Sequence, residues 1–374
     1  MKTKYFFLVA LVITCCLTAC KREEKVNIAG ILPLSGDYYL DGLDKKKGID
    51  LAIAQRPNIL GKKINFICKD SKSERSEAIN LYNKLAANKN ICGIIDGGNS
   101  ILSEDVASVS QKKALPLIIA TASLESITSY GDNIFRTASL EKTQGECMAK
   151  FALDDLNLIN KTCAILYNKD SDYSISIAKA FANSFKQQNG KVLLMQAYLN
   201  NDTDFSFQLN KIKILNPEVL FLPDNAYNVS LILEQMRNKN LNLTVLGSDA
   251  YENVATQSTD NVFLSKIYYC TDYCYTSPRR TSIEFVKAYE EKYKEKPGAF
   301  AALSYDATNI LLDALERAKS IKSDDIINAL NKTEYDGASG KIEFDKNGNP
   351  IKNLKIVAIN QGEKEFIKAF VLQD

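Results

Sequence analysis

The sequence predicts an α/β fold of two Rossmann-like lobes, each a parallel sheet covered by helices. Three observations carry this. Short apolar runs rich in β-branched residues alternate with stretches of helical spacing. The alternation comes in two sets of four units, a pattern that builds parallel sheets with helices on both faces. No Pro/Gly/Ser-rich or low-complexity linker separates the sets, so the lobes must be joined by short crossovers.

Taken in order, Val26–Leu32, Ile64–Cys68, Cys92–Ile95 and Leu117–Ala120 read as buried strands. Gly42–Ala54, Glu74–Ala87 and Leu102–Lys112 are the helices between them. The second set has strands at Cys163–Tyr167, Val192–Ala197, Val219–Leu222 and Thr244–Gly247, with helices at Ser174–Gln188, Phe205–Leu215 and Asn228–Lys239. Beyond it the pattern changes. A strand-like run, Val262–Tyr268, precedes a polar segment at 270–280; helices follow at Ser282–Lys294, Ala299–Ala318 and near Asp324–Leu330. Two terminal strands, Gly340–Phe344 and Leu354–Ile359, are expected to form a hairpin across Asn347-Gly348, a dipeptide suited to tight turns.

The amino terminus has its own organisation. Lys2 and Lys4, an apolar run from Tyr5 to Val12 and the small-residue site Leu17-Thr18-Ala19 are the parts of a secretory signal peptide. Cys20 directly after that site makes the leader resemble a bacterial lipoprotein signal. That resemblance implies cleavage before Cys20 and lipidation of its thiol; the alternative is an ordinary signal in which Cys20 has no role. The apolar run is short for a membrane span, and an acylated cysteine would anchor the chain from outside the cytoplasm. Residues 20–25 then form a charged tether.

Composition narrows the function. The 374 residues contain 47 basic and 45 acidic side chains. Removing Lys2 and Lys4 with the leader makes the two counts equal. A neutral chain without a basic block gives no electrostatic case for nucleic acid. There is no histidine, which excludes imidazole-based triads and His-ligated zinc. No cofactor or metal is expected. After Cys15, Cys16 and Cys20, six cysteines remain. Cys68, Cys92 and Cys163 lie in apolar runs and read as core. Cys270 with Cys274 is the candidate disulfide, although an even count gives no pairing by itself.

Several motifs suggest other chemistry and have plainer readings. Gly93–Gly98 lacks the Lys-Ser/Thr of a P-loop and the spacing of a dinucleotide fingerprint; it reads as a strand-end loop at the sheet's carboxyl edge. Asp345–Asn349 is too short for a calcium loop and lacks the distal Glu. Asp204 is expected to cap a helix beginning at Phe205, and Asp154-Asp155 to lie on a solvated helix face.

A set of runs in fixed order resembles the leucine/isoleucine/valine-binding protein family, type I periplasmic binding proteins of ABC importers. The runs are Ile28–Gly36 with Gly42 and Gly48 after it, Ala114–Ser123, Phe135-Arg136-Thr137, Leu246–Asp249, Ser304–Ala307 and Gly340–Asp345. The resemblance spans 26–374. It implies two lobes crossed three times by the chain: lobe I at 26–140 and 273–338, lobe II at 141–272 and 339–374, with ligand in the cleft between them.

The resemblance also implies a site. Ser100, Thr121, Ala122 and Ser123 would hold an amino-acid carboxylate, for which strand-end loops and helix N-termini supply unpaired N–H groups. Helix capping is the alternative role for Ser100. Tyr173 and Asn225 would contribute from the second lobe, and Asp249 would pair the α-ammonium. Where leucine-type members often carry an aromatic, this chain has Asp41, with Tyr38 and Tyr39 nearby. The expectation is a monomeric, lipid-anchored binding protein, not an enzyme, that passes a branched-chain or related amino acid to a permease. A small amide or urea-like solute, a sensing receptor component and a histidine-free hydrolase are the alternatives.

Overall fold

The computed structural model describes residues 24–111, 115–254, 267–360 and 362–370. The leader and Cys20 lie outside the described residues, as do residues 262–266 of the expected strand and the last residue of the helix expected to end at Lys112.

The first sheet begins with β1 (Lys25–Leu32) and helix α1 (Tyr39–Gln55), followed by β2 (Asn58–Ile59), β3 (Lys62–Asp70) and α2 (Arg75–Ala86). Then come β4 (Ile91–Asp96), α3 (Ser100–Ser110), β5 (Leu117–Ile119) and β6 (Ile134–Arg136). The strand order is β2-β3-β1-β4-β5-β6, parallel except for the short β2. The chain therefore starts in the middle, moves out to β3, and crosses back to β4. That reversal opens a crevice at the carboxyl ends of β1 and β4, where α/β sheets place ligands.

The second sheet repeats the plan. Helix α4 (Glu141–Asp155) leads to β7 (Thr162–Asn168), α5 (Asp172–Gln187) and β8 (Lys191–Tyr198). These are followed by α6 (Ser206–Leu215), β9 (Val219–Phe221), α7 (Ala226–Asn238), β10 (Thr244–Gly247) and β11 (Ile267–Thr271). With β15 (Leu354–Asn360) and β16 (Glu363–Phe370) from the end of the chain, its order is β16-β15-β11-β10-β9-β7-β8, with the reversal between β7 and β9. Helices α8 (Arg280–Tyr293), α9 (Ala299–Ala318) and α10 (Ser323–Leu330) come next; Leu311, Leu315 and Ile326 from the last two pack into the core of the first sheet.

Two glycines of α1 explain themselves by close approach. A Cβ on Gly42 would lie 1.9 Å from the Pro33 carbonyl oxygen, and one on Gly48 would lie 2.0 Å from that of Ala301. Both positions are closed to any side chain, and α1 is thereby seated against the end of β1 and against α9.

The carboxyl-terminal strands differ from the expected hairpin. Strand β13 (Gly340–Phe344) does turn at Asn347-Gly348, where Gly348 has φ +76°, but it pairs with β14 (Pro350–Ile351) and with β12 (Glu334–Gly337). Strand β15 (Leu354–Asn360) instead lies between β11 and β16 (Glu363–Phe370) in the second sheet. Ile342 is buried in the first sheet's core and Phe344 packs against it, so 340–351, expected with the second lobe, sits with the first.

The expected Cys270–Cys274 disulfide is absent: both thiols are free. Cys270 belongs to the core between β11 and α4, whereas Cys274 packs in the other core of the second sheet and contacts Thr276. Their side chains serve opposite faces of one sheet. Asp154 and Asp155 are exposed, as expected of a solvated face, and Asp155 pairs with Lys368 at 2.8 Å. Helix α6 starts at Ser206, one residue late, and Asp204 accepts the Ser206 N–H at 2.9 Å.

Where the chain passes between the sheets, buried charges gather. Asp272 accepts the Ser139 N–H at 2.9 Å and its hydroxyl at 2.6 Å, and pairs with Lys352 at 3.1 Å. Lys352 also donates to the Thr137 carbonyl, and Lys355 to the carbonyls of Asp272 and Asn353. Each of the three passing segments is therefore bound to another by a buried side chain. Burial alone would raise the Asp272 pKa, but Lys352, Ser139 and Lys355 together hold it below its ordinary value.

Candidate ligand-binding cleft

The carboxyl ends of the two sheets face each other across a cleft of about 490 Å³. Ser100, Thr121, Ala122, Ser123, Tyr173, Asn225 and Asp249 all line it. The sequence places them in five separate segments at strand ends and helix starts; the two strand-order reversals bring them together.

On the first wall, α3 begins at Ser100. Its cap is Asn99, whose Oδ1 accepts the Leu102 N–H at 3.0 Å. Capping is thus done by the preceding residue, and the Ser100 hydroxyl makes no hydrogen bond among the described residues. Thr121 and Ser123 follow β5 and are 8% and 3% exposed. The Thr121 hydroxyl reaches the Gly98 carbonyl only at 3.4 Å, and the Ser123 hydroxyl has no partner among the described residues. Unpaired hydroxyls beside a helix N-terminus form a surface suited to a carboxylate.

On the opposite wall, β10 ends at Gly247 and delivers Asp249. Its Oδ1 accepts the Tyr173 hydroxyl, which also lies 2.8 Å from Ser248 Oγ. Its Oδ2 accepts Gln144 Nε2 at 2.8 Å. Burial pushes the Asp249 pKa up to about 6, with the Tyr173 hydroxyl and Gln144 opposing and Asp272 adding to the rise. A partly desolvated carboxylate held in one orientation is a receptor for a cation. Asn225 behaves differently from the rest: its Oδ1 caps α7 through the Asn228 N–H at 3.1 Å, and its Nδ2 donates to Asp224 at 3.2 Å. Its side chain is at the cleft but already engaged.

Sequence reasoning missed three residues here. Gln144 and Glu141 lie on the first turn of α4, a helix without a marked apolar stripe. Glu141 is 1% exposed, and neither carboxyl oxygen has a well-formed hydrogen bond. Burial, with Asp249 and Asp172 nearby, pushes its pKa up to about 8 against the influence of Ser176 and Arg136. Lys45, one turn after Asp41, lines the cleft at 2% exposure. Lys45 lies in the polar run Asp44–Lys47, and only the packing of α1 reveals that it is buried.

The cleft offers hydroxyls, the Lys45 ammonium and several carboxylates, of which Asp249 is oriented by Tyr173 and Gln144. Among the described residues no group of three His, Cys, Asp or Glu side chains could hold a metal, and no helix is long and apolar enough to cross a membrane.

The family described as periplasmic binding protein matches residues 25–364. A leucine-, isoleucine-, valine-, threonine- and alanine-binding protein of Pseudomonas aeruginosa is 21% identical over 344 residues, 88% of this chain and 87% of the relative. The crystal structure of a leucine binding protein, LivK, of Thermotoga maritima has a TM-score of 0.84 at 27% identity, covering 92% of this chain and 99% of that one. That of LivJ of Streptococcus pneumoniae in complex with isoleucine has a TM-score of 0.83 at 27% identity, covering 93% and 99%. With two α/β sheets opening on one cleft and a match over nearly its whole length, the chain belongs to the periplasmic binding protein family, among the relatives of the Leu/Ile/Val-binding proteins.

Proposed function

We propose that this protein is the extracytoplasmic substrate-binding component of an ABC importer and captures a free amino acid between its lobes. The observation that carries this reading is the polarity of the cleft. Unpaired hydroxyls at a helix N-terminus, from Ser100 and Ser123, face an oriented carboxylate, Asp249. An α-amino acid presents a carboxylate and an ammonium in that arrangement. A micromolar Kd needs about −8 kcal/mol. Several charge-assisted hydrogen bonds at ~1.5–3 kcal/mol each supply it after the costs of closure. The P. aeruginosa relative named for five aliphatic or small amino acids, and the isoleucine complex of LivJ, point to the same ligand class.

The test is a thermal-shift screen of the free amino acids, small amides and urea-like solutes. A ligand at 100 times its Kd adds about 2.7 kcal/mol of stability. A screen in which only a non-amino-acid solute shifts the transition would overturn the ligand class while leaving the binding function standing.

The finer reading is that the protein works as a monomer, lipid-anchored through Cys20, and hands its cargo to a membrane permease. Cys20→Ala should move it from the membrane fraction to soluble or unprocessed forms. Normal cleavage and membrane retention of that variant would remove the anchor.

A further inference from the structure

The cleft contains a second pair of charged groups that the α-carboxylate and α-ammonium do not use. Asp41 and Lys45 are one turn apart on α1 and both line the cleft, so their side chains share one helix face. Asp41 makes no hydrogen bond or ion pair among the described residues. Lys45 is 2% exposed; it donates to the Gly97 carbonyl at 3.0 Å and lies 4.7 Å from the centre of the Phe300 ring, itself a cleft residue. Gly97 is the one hydrogen-bond acceptor it meets among the described residues, and an ammonium has three N–H donors. The other cleft acids are engaged or open to water. Asp224 accepts from Tyr198 and Asn228, Asp170 from the Asn200 N–H, and Glu104 from Ser126, while Asp172 is exposed.

From this we propose that the amino acid bound here carries a neutral side chain with both an acceptor and a donor, of the carboxamide type. The assignment rests on the amino-acid reading above. Buried polar groups are costly unless paired, so the ligand's side chain must satisfy what α1 presents. A carboxamide oxygen accepts from Lys45 while its NH₂ donates to Asp41. An aliphatic side chain would cover the Asp41 carboxylate without replacing its water. A cationic side chain would meet the buried Lys45 ammonium, and an anionic one the Asp41 carboxylate. A site built to hydrogen-bond a substrate group discriminates strongly against analogues that lack it.

The experiment is calorimetric titration of the full chain, freed of bound ligand by unfolding and refolding, with glutamine, asparagine, leucine, lysine and glutamate. We expect glutamine or asparagine to bind at least tenfold tighter than the other three. Asp41→Leu removes a side chain that makes no hydrogen bond among the described residues, and Asp96 and Asp44 remain to attract the Lys45 ammonium, so folding should survive, with circular dichroism as the check. It should weaken amide binding at least tenfold and leave leucine binding unchanged or tighter. Leucine, lysine or glutamate binding tightest to the wild-type chain overturns the carboxamide assignment alone. So does amide binding to Asp41→Leu within threefold of wild type. Absence of heat with every amino acid overturns both this assignment and the amino-acid reading.

Discussion

Gln144 and Asp249, 105 positions apart, hold each other by two hydrogen bonds: Gln144 Nε2 donates to Asp249 Oδ2 at 2.8 Å, and the Asp249 N–H donates to Gln144 Oε1 at 3.1 Å. One side-chain amide thus fixes both the carboxylate and the backbone of a residue that lines the cleft. Gln144 does not line the cleft; it positions the residue that does. Gln144→Ala leaves a buried acceptor and a buried N–H unpaired, at about 1–3 kcal/mol each. The expected result is a lower unfolding midpoint together with at least tenfold weaker amino-acid binding. Unchanged affinity in a destabilised but folded variant would show that Asp249 is positioned by Tyr173 alone.

Asp249 itself should matter more to binding. Removing its carboxylate leaves the ligand's ammonium buried and unpaired, at ~2–5 kcal/mol. Asp249→Ala should therefore weaken binding by about 30-fold to several thousand-fold at 1.4 kcal/mol per tenfold. Ser123→Ala, which deletes one of several donors, should cost less. Calorimetry checks both. Binding of the native ligand within threefold of wild type in Asp249→Ala would assign Asp249 to the turn.

Affinity should depend on pH through the same group. The ammonium needs the carboxylate, and burial raises the Asp249 pKa in the free protein to about 6. Tyr173, Gln144, Asp272 and Glu141 are the polar groups around it. Binding should be level above neutrality and should weaken as pH falls through about 6, approaching tenfold per unit. Titrations between pH 5 and 8 check this; a flat profile would exclude the ammonium–Asp249 pair.

Glu141 gives a stability signature of opposite use. Its folded pKa is raised to about 8 from an ordinary value of 4.5, so between those limits the folded state binds the extra proton. Its contribution to stability is full below the unfolded value and is lost as pH rises to the folded one, by up to about 1.4 kcal/mol per unit. Glu141→Gln should flatten this slope and be more stable than wild type at pH 8. Urea midpoints at pH 5.5 and 8 decide; parallel profiles for the two proteins would refute it.

The Lys352–Asp272 pair, 3.1 Å apart with both side chains buried, predicts a large asymmetry. Lys352→Met alone leaves Asp272 buried with less compensation and should cost ~3–5 kcal/mol, whereas the double variant with Asp272→Leu should recover part of that loss. Urea unfolding of the single and double variants measures the coupling. Additive losses would mean that the two residues act independently.

The sequence by itself determined the α/β class, the place of most strands and helices and, through the family resemblance, the segments that line the cleft. Periodicity is a local property, and strand-end loops such as Thr121–Ser123 are marked by the apolar runs they follow. Gly42 and Gly48 belonged to the family resemblance, but the close approach of the Pro33 and Ala301 carbonyls that each admits is seen only in the packing of α1. Tertiary structure decided what depends on partners distant in sequence. Cys270 and Cys274 are neighbours in the chain yet occupy two cores. Strand β15 joins β11 rather than the hairpin before it, and Lys45 in a polar run turns out to be buried. Asn99 rather than Ser100 caps α3, which releases the Ser100 hydroxyl to the cleft. In each case the residue's role is set by which surface packs against it, and that is chosen by the whole fold at once. The same holds for Gln144: nothing in its own helix distinguishes it, and only the approach of β10 gives its amide something to hold.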